Sequence, residues 1–144
     1  MTFDAGFAPT QLAARAAYLL RGNDLGVMTS AAPRLYPHMW SWDAAFVAVG
    51  LASLSVERAV VELDTLLSAQ WTNGMIPHIV FAPGVQGYFP GPDRWACSEL
   101  AAAAPAGRQT SGITQPPVHA IAVQRILDRA RVRGRSTRAV AETL

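Results

Sequence analysis

The segment from Ser41 to Ser53 carries one charged side chain, Asp43, and is otherwise built from Ala, Val, Leu, Phe, Trp, Gly and Ser. A helix without a polar stripe has to be buried on most of its sides, because each apolar face left in water forgoes its transfer free energy. The inner layer of a two-layered helical ring provides that environment. Ser41 is placed to cap this helix, which is predicted to run through Phe46 and Val49 towards Ser53. The weakly polar run from Ala44 to Ser55 is rich in Ala and Ser and falls short of the ~18 apolar residues of a membrane span, so no transmembrane segment is expected.

Helix signals also dominate the rest of the chain. Thr10 to Arg21 is Ala- and Leu-rich, follows Pro9 and stops at Gly22-Asn23. Between Val56 and Trp71, Val56, Val60, Leu63 and Leu67 recur at helical spacing, while Glu57, Arg58, Glu62 and Asp64 supply a polar side. This pattern predicts an amphipathic, outer-layer helix ending at Asn73-Gly74. A region dense in Pro and Gly follows from Gly74 to Pro117, with one short helix expected over Trp95 to Ala104. After Pro116 and Pro117, Val123, Ile126, Leu127 and Ala130 form the stripe of a fourth long helix ending near Gly134. A last helix begins at Ser136 and has run about two turns by Leu144. No strand alternation stands out. The fold class is therefore all-α, built of stacked helical hairpins.

Composition narrows the functional classes. The 51% apolar and 15% charged content suits a packed core rather than disorder. The N-terminus carries Asp4 where a secretory signal carries positive charge, and a cytoplasmic location is expected. Cys97 is the one cysteine, which excludes an internal disulfide. Every basic residue is Arg, and six lie between Arg125 and Arg138. That stretch contains no aromatic residue, so it reads as the solvent face and C-terminal turn of a helix rather than a nucleic-acid surface. His38, His78 and His119 lack the spacing of a zinc motif, and neither a metal nor a cofactor is expected.

Three clusters at helix starts and ends mix aromatic rings with hydrogen-bonding groups: Tyr36 to Asp43, Trp71 to His78 with Tyr88 beyond, and Gly112 to Gln115. Stacked hairpins collect such junctions at one mouth. A sugar suits that mixture, because a pyranose offers apolar C–H faces to rings and hydroxyls to fixed polar groups. Each residue also has a structural reading. Trp40, Trp42 and Trp71 are candidates for core packing, Asp43 for a helix N-terminus, and His78 for a donor to a loop carbonyl. Gln115 is a candidate brace at the start of the fourth helix, and Tyr88 a loop-packing side chain.

As strings, Tyr36-Pro37-His38-Met39-Trp40-Ser41-Trp42-Asp43-Ala44-Ala45-Phe46, Asn73-Gly74-Met75-Ile76-Pro77-His78 and Ser111-Gly112-Ile113-Thr114-Gln115-Pro116-Pro117 resemble the mannosylglycerate and glucosylglycerate hydrolase group. This group is related to glycoside hydrolase family 63. The resemblance runs from about Leu12 to Leu127 and implies an (α/α)6 toroid of inner and outer helices, with inverting hydrolysis of a small glycoside at its mouth. It implies sugar-binding roles for Tyr36, Trp40, Trp42, Asp43, His78, Tyr88 and Gln115. Inversion needs one carboxylic acid to protonate the leaving group and a second carboxylate to activate water. In the family these lie in a Trp-Asp-Asn-type segment and a later Glu, and neither context occurs in residues 1–144.

No residue of this chain is therefore assigned as catalytic. The expectation is an N-terminal fragment, residues 1–144, of an (α/α)6 glycoside hydrolase: a partial toroid, inactive alone and marginally stable, with apolar helix faces left exposed. Two alternatives belong to other classes: a non-catalytic carbohydrate-binding or interaction module, and a subunit completed by a second polypeptide. The expected partner is a small carbohydrate or glycoside, with a complementing chain or self-association through the exposed helix faces.

Overall fold

A computed structural model describes residues 9–144, so the reading of the N-terminus at Met1 to Asp4 falls outside the described residues. The described elements are mostly helical. In order they are α1 (Pro9–Gly22), β1 (Met39–Trp40), α2 (Ser41–Ala52), α3 (Val56–Leu67), β2 (Ile79–Val80), α4 (Pro92–Trp95), α5 (Cys97–Leu100), α6 (His119–Val132) and α7 (Thr137–Thr143). The hairpins α2–α3 and α6–α7 stack side by side, with α2 and α6 in contact and α7 reaching α3. This is the arrangement required of a partial (α/α)6 toroid.

The weakly charged helix α2 sits at the centre of this packing. Its Ala45, Ala48, Leu51 and Ala52 are buried against Val56, Ala59 and Leu63 of α3 and Ala122, Ile126 and Ala130 of α6. The small side chains let three helices approach closely, while Leu63 and Ile126, both fully buried, each contribute about 1.5–3 kcal/mol of burial. Helix α1 packs more loosely, with no buried residue. It meets α2 at Gly50, where a Cβ would lie 3.1 Å from Leu20 Cδ1.

Several expectations change. Helix α3 ends at Leu67 rather than Trp71, because Trp71 turns away into a tight loop closed by Gly74, whose φ is +90°. The single helix expected over Trp95 to Ala104 is two four-residue turns, α4 and α5, separated by Ala96 in the left-handed region. In α6 the buried stripe is Ala122, Ile126 and Ala130, with Val123 and Leu127 at its margins. A small antiparallel sheet interrupts the all-helical picture, with Met39 opposite Val80 and Trp40 opposite Ile79. Two-residue strands are too short for alternation to mark them.

The most consequential change is at Glu62, placed by periodicity on a polar face. Its side chain is fully buried. Thr29 donates from its backbone N–H (3.1 Å) and its Oγ1 (2.8 Å) to the two carboxylate oxygens, and Arg58 Nη2 lies 2.9 Å from Oε2. Arg58 also donates to both oxygens of Asp24, while Asp24 Oδ1 accepts the N–H of Gly26, which turns at φ +93°. Thr65 donates to the Val27 carbonyl. Loop 23–30 is thus strapped to α3 through a buried charged bracket.

The arginine-rich end is largely engaged within the chain. Arg133 donates to the carbonyls of Ser53 and Leu54, satisfying the C-terminus of α2, while Arg131, Arg135 and Arg138 pair with Asp128, Glu57 and Glu142. Among the described residues no helix is long and apolar enough to cross a membrane, and no group of three His, Cys, Asp or Glu side chains converges as a metal site would.

Two outcomes follow from the bracket. Arg58→Ala strands a buried carboxylate and should lower the unfolding free energy by about 3 kcal/mol or more in urea denaturation. A loss under ~1 kcal/mol would show that the pair behaves as a surface pair. Its hydrogen bond to Arg58 holds Asp24 below the usual carboxylate range, so the stability Asp24 contributes is present above its ordinary pKa and lost as pH falls through the lowered one. Asp24→Asn should flatten that acid limb. Burial pushes Glu62 the other way, so its contribution declines as pH rises above its ordinary value, and Glu62→Gln should not flatten the acid limb.

Candidate functional site

The site is built around the N-terminus of α2. A helix leaves its first N–H groups without intrahelical partners. Ser41 was expected to cap here, yet Trp40 occupies the N-cap position and has no side-chain oxygen to offer. The donors are satisfied from elsewhere in the chain: Ser41 N–H donates to the carbonyl of His78 (3.0 Å), and Trp42 N–H to Oε1 of Gln115 (3.1 Å). Ser41 Oγ instead lies 2.9 Å from His119 Nε2, in a buried hydrogen bond that pins the start of α2 to the start of α6. Gln115 therefore braces α2 rather than the helix it precedes.

The small sheet brings the three sequence clusters to this point. β1 carries Trp40 and leads directly into α2. β2 pairs with β1 on one side and on the other meets residues 109–113, through Phe81 N–H to Gln109, Ser111 N–H to Ile79 and His78 N–H to Ile113 (2.7 Å). Ser111 Oγ also accepts the Ile79 N–H. Gly112 lies close over Cys97 and Trp71; a Cβ there would meet Cys97 Sγ at 3.3 Å. Trp71 itself is buried and donates from Nε1 to Thr110 Oγ1, which bears out its structural reading.

Trp40 is the hub of an aromatic box. Tyr36 (5.1 Å), Tyr88 (5.2 Å) and His78 (6.3 Å) meet its ring edge-on, and His38 stacks near-parallel at 6.1 Å. With 6% of its surface exposed, Trp40 backs the box rather than presenting an open face. Trp42 and Tyr36 are the exposed rings, at 42% and 50%. Asp43 is half-buried in the first turn of α2. Burial lowers the His78 pKa, and the negative charge of Asp43 opposes that shift. The buried Nδ1 of His78 has no hydrogen-bond partner. A polar ligand atom would satisfy it.

Sequence reasoning missed His119 as a member of this assembly, and within the Tyr36–Asp43 cluster it gave His38 and Ser41 no part in the site. The sequence presents His38 and His119 as possible metal ligands and Ser41 as a cap, and nothing local shows that Ser41 will meet a histidine 78 positions away. A cavity of about 550 Å³ is lined by residues including Leu19, Leu20, Asn23, Ala31, Arg34 and Val47, and its Ala31 packs against the Trp40 cluster. It has neither a carboxylate nor an aromatic ring in its wall, so it lacks the ring face on which a pyranose would stack. A smaller, more polar cleft of about 240 Å³ adjoins Tyr88 and His38.

Most of the chain also matches a known family. Residues 36–144 match the family of the mannosylglycerate hydrolase MGH1-like glycoside hydrolase domain. A glucosylglycerate hydrolase of Mycolicibacterium hassiacum is 82% identical over 99% of this chain and 32% of its own length. A mannosylglycerate hydrolase of Selaginella moellendorffii is 50% identical over 78% of this chain and 22% of its own. Among solved structures, the family 63 mannosylglycerate hydrolase of Thermus thermophilus in complex with glucose superposes with a TM-score of 0.68 at 38% identity, covering 92% of this chain and 31% of that one. The chain thus spans a third or less of the length of these relatives. The family match over most of the chain, joined to a likeness of both sequence and fold, means that this chain belongs to the MGH1-like glycoside hydrolases.

Proposed function

We propose that this chain forms the sugar-gripping part of an (α/α)6 glycoside hydrolase that inverts the anomeric centre of a small glycoside such as glucosylglycerate or mannosylglycerate. One observation carries the reading: the α2 N-terminus, capped by His78 and Gln115, holds Trp42, Asp43, His78 and Gln115 together beside the aromatic box. Trp42 and Tyr36 offer ring surface for a pyranose face, while Asp43, His78 and Gln115 offer hydrogen-bonding groups for its hydroxyls. Tyr88 and Trp40 wall the site from behind.

Asp43 is the one carboxylate among these residues, and inversion takes two, on opposite faces of the sugar. Asp43 is therefore assigned to holding a hydroxyl. The acid and base belong to the larger part of the relatives' fold that this chain does not match. The purified chain should then bind glucosylglycerate saturably in titration calorimetry and release no glucose from it. Asp43→Ala removes a charged hydrogen bond and should weaken binding about tenfold or more. Glucose or mannose release by the chain alone would overturn the assignment of the catalytic pair, and undiminished binding by Asp43→Ala the role of Asp43.

A second reading, that the chain is a subunit completed by another polypeptide, is favoured by the apolar residues left open on the two central helices. Phe46 of α2 is 62% exposed, and Ile121 and Val132 of α6 are 61% and 79% exposed. On that reading, mixing the chain with a polypeptide carrying the remaining helices of the M. hassiacum relative should restore glucose release. Failure of the two to co-elute on size exclusion would count against it.

A further inference from the structure

His38 plays no part in the proposed sugar contacts, yet it is among the most completely buried side chains, with 1% of its surface exposed. Its Nδ1 accepts the backbone N–H of Ala82 at 3.1 Å. An imidazole accepting at Nδ1 is neutral and carries its proton on Nε2. Its ring packs edge-on against Tyr88 (5.3 Å) and Phe81 (4.9 Å) and stacks near-parallel with Trp40.

Ala82 opens the segment that carries Tyr88. This segment turns at Gly84 and Gly87, both at positive φ, and from residue 83 to 90 its one backbone hydrogen bond among the described residues is a long contact from Val85 to Ala82 (3.4 Å). Beyond the packing of Val85 against the Met28–Met39 cluster, little within the segment fixes where Tyr88 stands. What fixes it is the tie at Ala82 and the seat formed by His38 and Trp40. The cleft of about 240 Å³ lies beneath the same segment, with His38, Tyr88, Asp93 and Gln109 in its wall.

We propose that His38 is a positioning residue for Tyr88: by accepting the Ala82 N–H it anchors the 82–91 segment, and with its ring it seats Tyr88 against Trp40 beside the sugar site. The functional meaning rests on the reading of Tyr88 as part of a sugar site, whereas the anchoring itself does not. Protonation at Nδ1 would remove the acceptor and unhook Ala82, making the anchor sensitive to pH. The groups facing His38 are Tyr88 from the segment and Asp93 of α4 across the cleft, with Tyr36 and His78 beyond the Trp40 ring. Burial favours the neutral ring, so the anchor holds above the ordinary histidine pKa and weakens as pH falls below it.

The test uses nuclear magnetic resonance on the chain, with two variants that separate the acceptor from the ring. Imidazole ¹⁵N shifts should report the Nε2–H tautomer at His38 near neutral pH. His38→Phe keeps the ring bulk and removes the acceptor; amide exchange at Ala82 should quicken at least about tenfold relative to the α2 and α3 amides, and the Tyr88 ring shifts should move. His38→Asn restores an acceptor close to the Nδ1 position and should return Ala82 protection towards the native value. Native exchange should also quicken, beyond its intrinsic pH dependence, as pH falls below the ordinary histidine range, and exchange in His38→Asn should not. An Nδ1–H tautomer, which is read on the native chain even should a variant not fold, would overturn the proposal. So would unchanged Ala82 exchange in His38→Phe. Glucosylglycerate titration of the native chain is the separate arm: intact anchoring without binding would overturn the sugar reading and leave the anchor standing.

Discussion

The start of α2 is the constraint on which the rest of the site depends. An α-helix needs partners for its first amide groups, and here the sequence supplies no side-chain cap at the N-cap position, which Trp40 occupies. The missing acceptors arrive from the His78 carbonyl and the Gln115 side chain, and the Ser41 hydroxyl is taken by His119. One local deficiency thereby ties together three segments that are far apart in the chain. The bonds that complete the helix are also those that assemble the candidate site, and parting the start of α2 from α6 would leave the buried Ser41–His119 pair unsatisfied.

The helical layers make that junction rigid. Small side chains on α2 let α3 and α6 close on it from two sides, and Arg133 completes its C-terminus. On the outer side, the Glu62–Arg58–Asp24 bracket fixes loop 23–30. The effect reaches the site through a short chain of contacts. Thr29 is held by Glu62, Ser30 donates to the Tyr36 carbonyl, and Tyr36 meets the edge of the Trp40 ring. A charged group at the outer helix and an aromatic ring at the mouth are thus parts of one network. Site residues so supported lose less conformational freedom on binding than residues on free loops would.

The positions of α1, α2, α6 and α7 were legible in the sequence because each rests on local signals: an apolar period, a proline before, a glycine after, and at Ser136 a side chain that does accept from Ala139. The three site strings were legible through their mixture of rings and polar groups. What failed were inferences that treated a residue's period as its environment. Glu62 lies on the nominally polar side of α3, yet that side is covered by loop 23–30. Ser41 has the chemistry of a cap, yet it stands one position inside the helix. The little sheet left no trace because two residues per strand set no alternation.

The amino-acid sequence by itself determined the helical class and the clusters gathered at the candidate site, because periodicity, charge and end signals act over a few neighbouring residues; it predicted burial of α2 on most sides, whereas Trp42 and Phe46 stand exposed. Only the tertiary structure decided which of those residues meet. It made Trp40 a buried backing and left Trp42 exposed, turned Gln115 towards α2, joined Ser41 to His119, and placed His38 under Tyr88. Each of these is a hydrogen bond or ring contact across a large sequence separation. Its partner is chosen by how the helices and the short sheet pack, and that choice is not written in the neighbouring residues.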